Sequence, residues 1–149
     1  MIRRVQINDA QAIGRICRSE LGYEASDTSI AKKIDKLCSD SNYFIRVFED
    51  EQTQHILGFI QAERYNLLYG DDGWNVIALA VSREARRNGI GREMLRALKQ
   101  EALKEGGMFI RLNCNIKRQD AHAFYKQCGF CCDKAQSRFI KRRIPGAEM

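Results

Sequence analysis

The feature that most constrains this chain is a glycine-containing turn between an apolar strand and an amphipathic helix. The apolar stretch covers residues 76–81, and the turn covers residues 86–91. A turn that opens a helix presents unpaired main-chain N–H groups, and the helix dipole adds positive potential at the same place. Because Gly89 and Gly91 lack a Cβ, a phosphate group can approach the main chain closely. The pattern therefore predicts a phosphate-binding turn.

Two common phosphate-binding motifs do not fit this turn. The dinucleotide fingerprint needs a third glycine three residues after the second, where this chain has Met94. The Walker A loop needs a lysine after its last glycine, whereas Gly91 is followed by Arg92. What remains is an arginine, two residues, a glycine, one residue and a second glycine, with Arg86 and Gly89 in the first two places.

This pattern resembles the acyl-CoA-binding motif of the GNAT superfamily of N-acetyltransferases. Residues 121–130 resemble a later motif of the same family, in which a helix that ends in Tyr125 is followed by Gly129, Phe130 and a final strand. The spacing between Gly91 and Tyr125 leaves room for a helix, a strand and the start of another helix, as the family requires. The resemblance covers most of the chain.

The hydrophobic pattern predicts one domain over residues 1–149, with the element order β-α-α-β-β-β-α-β-α-β. The resemblance implies an α/β (α+β) fold, in which helices flank a mixed, mostly antiparallel central sheet. Alternation of apolar and polar residues from Met108 to Ile116 predicts a strand. Residues 130–132 and 137–142 are interpreted as the last strand or a hairpin.

The resemblance implies acetyl-CoA as the co-substrate and no metal. The turn amides would hold the pyrophosphate, and main-chain groups of β-strand residues before the turn would pair with the pantetheine arm as an added strand. A main-chain N–H near Leu79 would face the thioester oxygen. The cofactor-binding residues implied in this way are Leu79, Ala80, Val81, Arg86, Arg87, Asn88, Gly89, Ile90, Gly91, Arg92, Arg118 and Tyr125.

Tyr125 is the candidate general acid for the departing thiolate, because a phenol with a pKa of about 10 suits a leaving thiol. The alternative is a core aromatic residue whose hydroxyl bonds a carbonyl group. Many relatives carry a carboxylate base early in the strand before the turn, where this chain has Asn75, which cannot accept a proton. Glu63 is the first alternative base, directly or through water. An acceptor amine with a low pKa would need no base.

The acceptor pocket is expected in the loops at residues 21–29 and 65–72 and in the C-terminal hairpin. Its candidate substrate-binding residues are acidic or aromatic: Glu24, Asp71, Asp72 and Trp74. The acidic residues favour a cationic acceptor such as a polyamine or an aminosugar. Many relatives have an asparagine where this chain has Arg118, and protein N-terminal acetyltransferases commonly keep it. The resemblance therefore favours a small-molecule amine over a protein acceptor.

Other functions remain open at this point. Asn75 is compatible with a CoA-binding sensor or partner subunit that has this fold and little activity, and a protein-directed N-acetyltransferase is a further alternative. The formal net charge of +6 also suits nucleic acid, but five arginines cluster around the turn and no aromatic-rich RNA-binding motif occurs. We therefore expect no nucleic-acid partner.

The cysteines and the hydrophobic runs lead to further expectations. Cys128 and Cys131 form one Cys-x-x-Cys without a second pair, so a zinc site is not expected, and neither is a disulfide framework. No run reaches the length of a membrane span, which predicts a cytoplasmic protein with no membrane partner. Dimers are frequent in the resembling family, so a homodimer is also allowed.

Overall fold

The computed structural model of the protein describes residues 1–143 and residue 146. Proximity of Cα atoms divides the chain into two units, residues 1–113 and the residues from Cys114 onward. The single domain over residues 1–149 stays a prediction.

The first unit contains a five-stranded mixed sheet. Its strands β1 to β4 pair antiparallel in chain order, and the last strand, β5, runs parallel to β4. The predicted mixed, mostly antiparallel sheet is therefore confirmed. The strand bounds are β1 (Ile2–Arg4), β2 (Tyr43–Glu49), β3 (Ile56–Asn66), β4 (Asp72–Val81) and β5 (Phe109–Leu112).

Three helices accompany this sheet, and a fourth lies in the second unit. None of the helices in the described residues is both long and apolar enough to cross a membrane. The helices are α1 (Ala10–Ile16), which continues as a π-helix over Cys17–Leu21, α2 (Asp27–Leu37), α3 (Ile90–Lys104) and α4 (Gln119–Gln127), with short 3-10 helices at Ile7–Asp9 and Arg83–Ala85.

The helices of the first unit bury opposite faces of the sheet. Ile13 and Ile34, from α1 and α2, share one core cluster with Phe59 of β3. Neighbouring strand residues point to opposite faces of the sheet. Helix α3 packs on the face opposite to α1 and α2, and its residues Met94 and Leu98 are fully buried there. This packing fixes the start of α3, and with it the glycine-containing turn, next to the end of β4.

A β-bulge changes the direction of one side chain in the middle of β4. Gln61 lies opposite Ala78, whereas Ala62 lies opposite Val76, so Ile77 is an extra residue without a partner in β3. Its side chain is 46% exposed on a strand whose neighbours are mostly covered. The bulge therefore presents Ile77 at the sheet surface.

The second unit contains α4 and the segment that follows it. No residue from 130 to 143 lies in a strand, so the predicted last strand or hairpin at residues 130–132 and 137–142 is wrong. A strand needs main-chain partners and an apolar face to bury, yet Phe139 is 93% exposed and Ile140 is 59% exposed. The strand predicted from Met108 to Ile116 is likewise shorter, since β5 ends at Leu112.

Candidate active site

The predicted phosphate-binding turn joins the 3-10 helix at Arg83–Ala85 to the N-terminus of α3. Gly89 has φ +77°, and Arg87 has φ +67°, so left-handed residues reverse the chain twice within three positions. The left-handed conformation costs a residue with a Cβ about 1–2 kcal/mol, which explains the glycine. Arg87 adopts the same conformation although it has a Cβ, so the turn bears this energetic cost at Arg87.

The same turn presents a row of free hydrogen-bond donors. The first bond that closes α3 runs from the Glu93 N–H to the Gly89 carbonyl oxygen, at 2.9 Å. Among the described residues, none accepts a hydrogen bond from the main-chain N–H groups of residues 87–92. Consecutive free N–H groups at a helix N-terminus form a site for phosphate.

Glu20 fixes the turn to the end of α1. Its carboxylate accepts a hydrogen bond from the Arg86 guanidinium at 2.5 Å and another from the Arg83 main-chain N–H at 3.1 Å. The Glu20 side chain is only 6% exposed. Arg86 is therefore engaged within the protein, whereas Arg87 and Arg92 are exposed and form no ion pair within the described part of the chain.

Glu20 was missed by sequence reasoning. It lies 66 positions before Arg86, and no local motif marks a residue that approaches the turn from another element. Only the packing of the π-helical segment Cys17–Leu21 brings this carboxylate to the turn. A π-helical turn within a helix often marks a functional site.

The second half of β4 has an open edge. The Ser82 N–H donates to the Leu57 carbonyl oxygen at 2.8 Å, and bonded and non-bonded pairs alternate along an antiparallel ladder. The main-chain groups of Leu79 and Val81 therefore point away from β3. Because β5 pairs with β4 only up to Val76, no strand within residues 1–113 covers this edge, and an extended ligand can pair with it.

A row of polar side chains crosses one face of the sheet. Tyr43 lies opposite Glu63, Glu63 opposite Asn75, and Asn75 opposite Arg111, so one side chain comes from each of four neighbouring strands. The Asn75 amide donates to Glu63 Oε2 at 3.3 Å. The Arg111 guanidinium donates to Asn75 Oδ1 at 2.6 Å. Asn75 therefore connects the carboxylate to the guanidinium, and we call these four residues the polar row.

Aromatic rings hold one end of the polar row. The Arg111 guanidinium lies 4.7 Å from the centroid of the Tyr65 ring, which meets the Phe109 ring edge-on at 6.3 Å. The Phe109 ring lies so close to Gly73 that a Cβ there would come within 2.5–2.6 Å of its carbon atoms. Gly73 thus leaves room for the Phe109 ring, which in turn packs against the Tyr65 ring beside Arg111.

A cleft of about 530 Å³ lies between α2 and the polar row. Tyr43 belongs to both, and Gln61 precedes Glu63 by two residues on the same face of β3. The bulge places Ile77 in the cleft. The residues that line it are Lys33, Lys36, Leu37, Asp40, Tyr43, Gln61 and Ile77. Sequence reasoning missed the two lysines, because exposed positions of an amphipathic helix carry no signal of a cleft beside them.

The predicted acceptor-binding residues do not meet at this cleft. Trp74 is 3% exposed and packs edge-on against Phe44 on the opposite face of the sheet, with the ring centroids 6.4 Å apart. Glu24, Asp71 and Asp72 are not fixed by any ion pair within residues 1–143. None of these four residues lines the cleft as far as the structure describes the chain. Glu63 does not line it either, but Tyr43, its pair in β2, and Gln61, two residues before it in β3, both do.

In the second unit, the Tyr125 motif forms the end of α4. The Phe130 N–H donates to the Tyr125 carbonyl oxygen, and the Gly129 N–H donates to that of Lys126, each at 3.0 Å. Gly129 has φ +93°, and the rings of Tyr125 and Phe130 meet edge-on at 5.8 Å. These are the bonds, the left-handed residue and the apolar contact of a Schellman cap. The glycine and the phenylalanine thus fix the position of Tyr125 on the helix.

The environment of Tyr125 favours its protonated form. Burial is the main cause that raises the pKa of the Tyr125 phenol to about 12, with smaller contributions in the same direction from Cys114 and Cys128 and an opposing one from the charge of Arg118. Arg118 precedes the first residue of α4 and is exposed. The phenol therefore carries its proton at neutral pH and can donate it.

The cysteines are all free thiols. In the described part of the chain, no three His, Cys, Asp or Glu side chains lie close enough together to hold a metal ion.

Known proteins similar to this chain were found by family model and by structure. The model of the acetyltransferase (GNAT) family matches residues 11–130. Among curated protein sequences, none matches the chain. Solved structures do match over nearly its whole length, at identities so low that they show the fold alone.

Three of these structures illustrate the similarity. A transcriptional regulator from Bacillus halodurans C-125 superposes with a TM-score of 0.83 at 19% identity, over 95% of this chain and 99% of that one. A glucosamine-6-phosphate N-acetyltransferase from Arabidopsis thaliana gives 0.79 at 18% identity, over 95% and 98%. An aminoglycoside 6'-N-acetyltransferase from Acinetobacter baumannii gives 0.80 at 15% identity, over 95% and 97%. Since the family model spans most of its length and the fold agrees, this chain belongs to the acetyltransferase (GNAT) family.

Proposed function

We propose that this protein transfers an acetyl group from acetyl-CoA to the primary amine of a small molecule, by direct attack in a ternary complex. The observation that carries the proposal is the row of free N–H groups at residues 87–92, next to the open edge of β4. Family membership supports the same reaction class.

The residues around the turn fit acetyl-CoA, which supplies the acetyl group as a thioester. The main-chain N–H groups of residues 87–92 would bind the pyrophosphate, with added positive charge from Arg87 and Arg92. The outward main-chain groups of Leu79 and Val81 would pair with the pantetheine arm. An N–H near Leu79 would stabilise negative charge on the carbonyl oxygen.

Glu63 is the proposed general base, directly or through a water molecule. Its neighbours Tyr43 and Gln61 line the cleft, and its carboxylate is oriented by the Asn75 amide, 3.3 Å away. Asn75 cannot take a proton itself, but it holds Glu63 on one side and Arg111 on the other. Asn75, which stands where many family members have the base, thus supports the Glu63 carboxylate beside it.

Tyr125 is the proposed general acid for the departing thiolate. The raised pKa, about 12, keeps the phenol protonated over the pH range in which the enzyme would work. The Schellman cap fixes the residue on α4, which meets the need for a positioned proton donor.

A CoA-binding sensor with little activity is the second candidate, and Asn75 is the observation that favours it. To separate the two functions, the release of free CoA is followed with acetyl-CoA and a panel of small primary amines. The proposed enzyme releases CoA at a rate that depends on the amine and exceeds hydrolysis without amine. A protein that binds acetyl-CoA but shows no amine-dependent release contradicts the enzyme and favours the sensor.

A further inference from the structure

We propose that the acceptor is an amine that also carries an anionic group, a phosphate or a carboxylate, and that Lys33 and Lys36 bind this group. The amine would then point along the cleft toward Glu63. This inference rests on the proposed function, because it takes the cleft beside the polar row as the acceptor site. It replaces the expectation of a cationic acceptor, which was drawn from acidic residues that do not line the cleft.

Lys33 and Lys36 form a cationic wall of the cleft. They are three positions apart on α2, so their side chains share one helix face, and both line the cleft. Both side chains are exposed, and neither forms an ion pair with a carboxylate among the described residues. The positive charge of Lys36 lies in the last turn of α2, where it is also favoured by the helix dipole. Lys33 lies in the middle of the helix and does not interact with the dipole in this way.

The acidic group in the cleft is already engaged in a turn. Asp40 Oδ1 accepts a hydrogen bond from the Asn42 main-chain N–H at 2.9 Å, and the Asp40 carbonyl oxygen accepts one from the Tyr43 N–H at 3.0 Å. The cleft is therefore lined by two lysine ammonium groups and one carboxylate, which is hydrogen-bonded within its own turn. A second cation on the acceptor would be repelled here, whereas an anion would be attracted.

Tyr43 links the cleft to the polar row, because it lines the cleft together with the two lysines and pairs with Glu63. Gln61, which also lines the cleft, and Glu63 are two residues apart on the same face of β3, which corresponds to about 6.7 Å along a strand. A small molecule held in the cleft by its anionic group would extend past Gln61 by about this distance to bring its amine to the proposed base.

The test is a series of amines that share two carbon atoms and differ only in the second group: phosphoethanolamine, β-alanine, ethanolamine and ethylenediamine. CoA release gives kcat/KM for each. We expect the better of the two anionic amines to exceed ethanolamine by about tenfold, since a hydrogen bond between two charged groups is stronger than one between neutral groups. Comparison of phosphoethanolamine with β-alanine tells phosphate from carboxylate. Ethylenediamine or ethanolamine as the best acceptor overturns the inference.

Variants assign the effect to the two lysines. The double variant Lys33→Gln/Lys36→Gln should remove the tenfold preference for the anionic amine, measured as the ratio of its kcat/KM to that of ethanolamine with the same variant. Lys32→Gln, on the same helix but outside the cleft, is the matched control and should change neither value. Equal losses for all amines in the double variant contradict an anion site.

A binding readout separates this inference from the proposed function. The thermal midpoint of the wild type should rise with phosphoethanolamine or β-alanine in the presence of CoA, and the double variant should lose that rise. If this holds while no amine is acetylated, the proposed function fails and the anion site stands. If ethanolamine is acetylated but neither anionic compound raises the midpoint, the anion site fails and the function stands.

Discussion

The glycine-containing turn and the polar row offer different parts of the chain to a ligand. The turn presents consecutive main-chain N–H groups, whose directions follow from the backbone conformation of residues 87–92. The polar row takes one side chain from each of four strands, and strand register brings them together. If both act as proposed, the turn should be sensitive to backbone conformation and tolerant of side-chain exchange, and the polar row should behave in the opposite way.

The largest effect is expected for Tyr125, whose position depends on a main-chain cap and whose chemistry depends on its side chain. Tyr125→Phe should lower kcat by about 10²–10⁴-fold, the usual contribution of a general acid, while acetyl-CoA binding is retained. Steady-state kinetics and a binding titration check this. Tyr69→Phe, at a tyrosine that is 88% exposed, is the matched control. Unchanged turnover in Tyr125→Phe contradicts the acid role.

The same variant also tests the pKa of the phenol. In ultraviolet titration, the wild type should contain one tyrosine that ionises at a pH of about 12 and that Tyr125→Phe removes. Because the folded-state pKa lies above the ordinary value of about 10, the stabilisation linked to this group is present below pH 10. It is lost as the pH rises toward the folded-state value.

The next largest effect is expected in the polar row. Glu63→Gln should lower kcat/KM by about 10²-fold, because the base is lost while the hydrogen bond with Asn75 can be kept by the amide. An acceptor amine of lower pKa, or assay at higher pH, should recover part of the loss, since the amine is then already neutral. Glu51→Gln, in an exposed turn, is the control. A loss that does not depend on the pKa of the amine contradicts a role as base.

A smaller effect is expected when the backbone of the turn is changed. Gly89→Ala should weaken acetyl-CoA binding by about tenfold, because a Cβ at φ +77° costs about 1–2 kcal/mol and shifts the N–H groups. Gly106→Ala is a matched control, since Gly106 has φ +75° and open space around it but lies at the other end of α3. Isothermal titration measures both. Equal affinity losses in the two variants would contradict a specific role of the turn.

The smallest effect is expected when only a side chain of the turn is changed. Arg92→Gln should weaken acetyl-CoA binding by about threefold, since an exposed charge contributes about 0.2–1 kcal/mol and the N–H groups remain. Raised ionic strength should reduce the difference between Arg92→Gln and the wild type. If Arg92→Gln weakens binding more than Gly89→Ala, the comparison between main-chain and side-chain binding is wrong.

The turn could be predicted from sequence because its geometry is local. The positions of the free N–H groups follow from the glycine spacing within residues 86–91 and from the strand and helix on either side. The end of α4 was predicted to within two residues, at Tyr125 instead of Gln127, because the cap involves only residues 125–130. In both places, the residues that matter are neighbours in the chain.

The residues of the polar row and of the cleft could be predicted only in part. Glu63 was a candidate, but its pairing with Asn75 depends on the strand register, which a bulge at Ile77 shifts by one residue. Lys33 and Lys36 line the cleft only because α2 packs beside the sheet. The predicted last strand was wrong because a short apolar pair, Phe139 and Ile140, does not by itself supply a partner strand or a core to pack against.

Thermal unfolding with acetyl-CoA, with free CoA and ATP as controls, shows whether the turn is a specific cofactor site. A ligand at about 100 times its Kd adds about 2.7 kcal/mol, which raises the midpoint of a chain of this size by several degrees. Acetyl-CoA should raise the midpoint well above the rise with ATP, and Gly89→Ala should reduce this rise. No rise, or one equal to that with ATP, would show that the turn is only a general anion site and would contradict the proposed acetyltransferase.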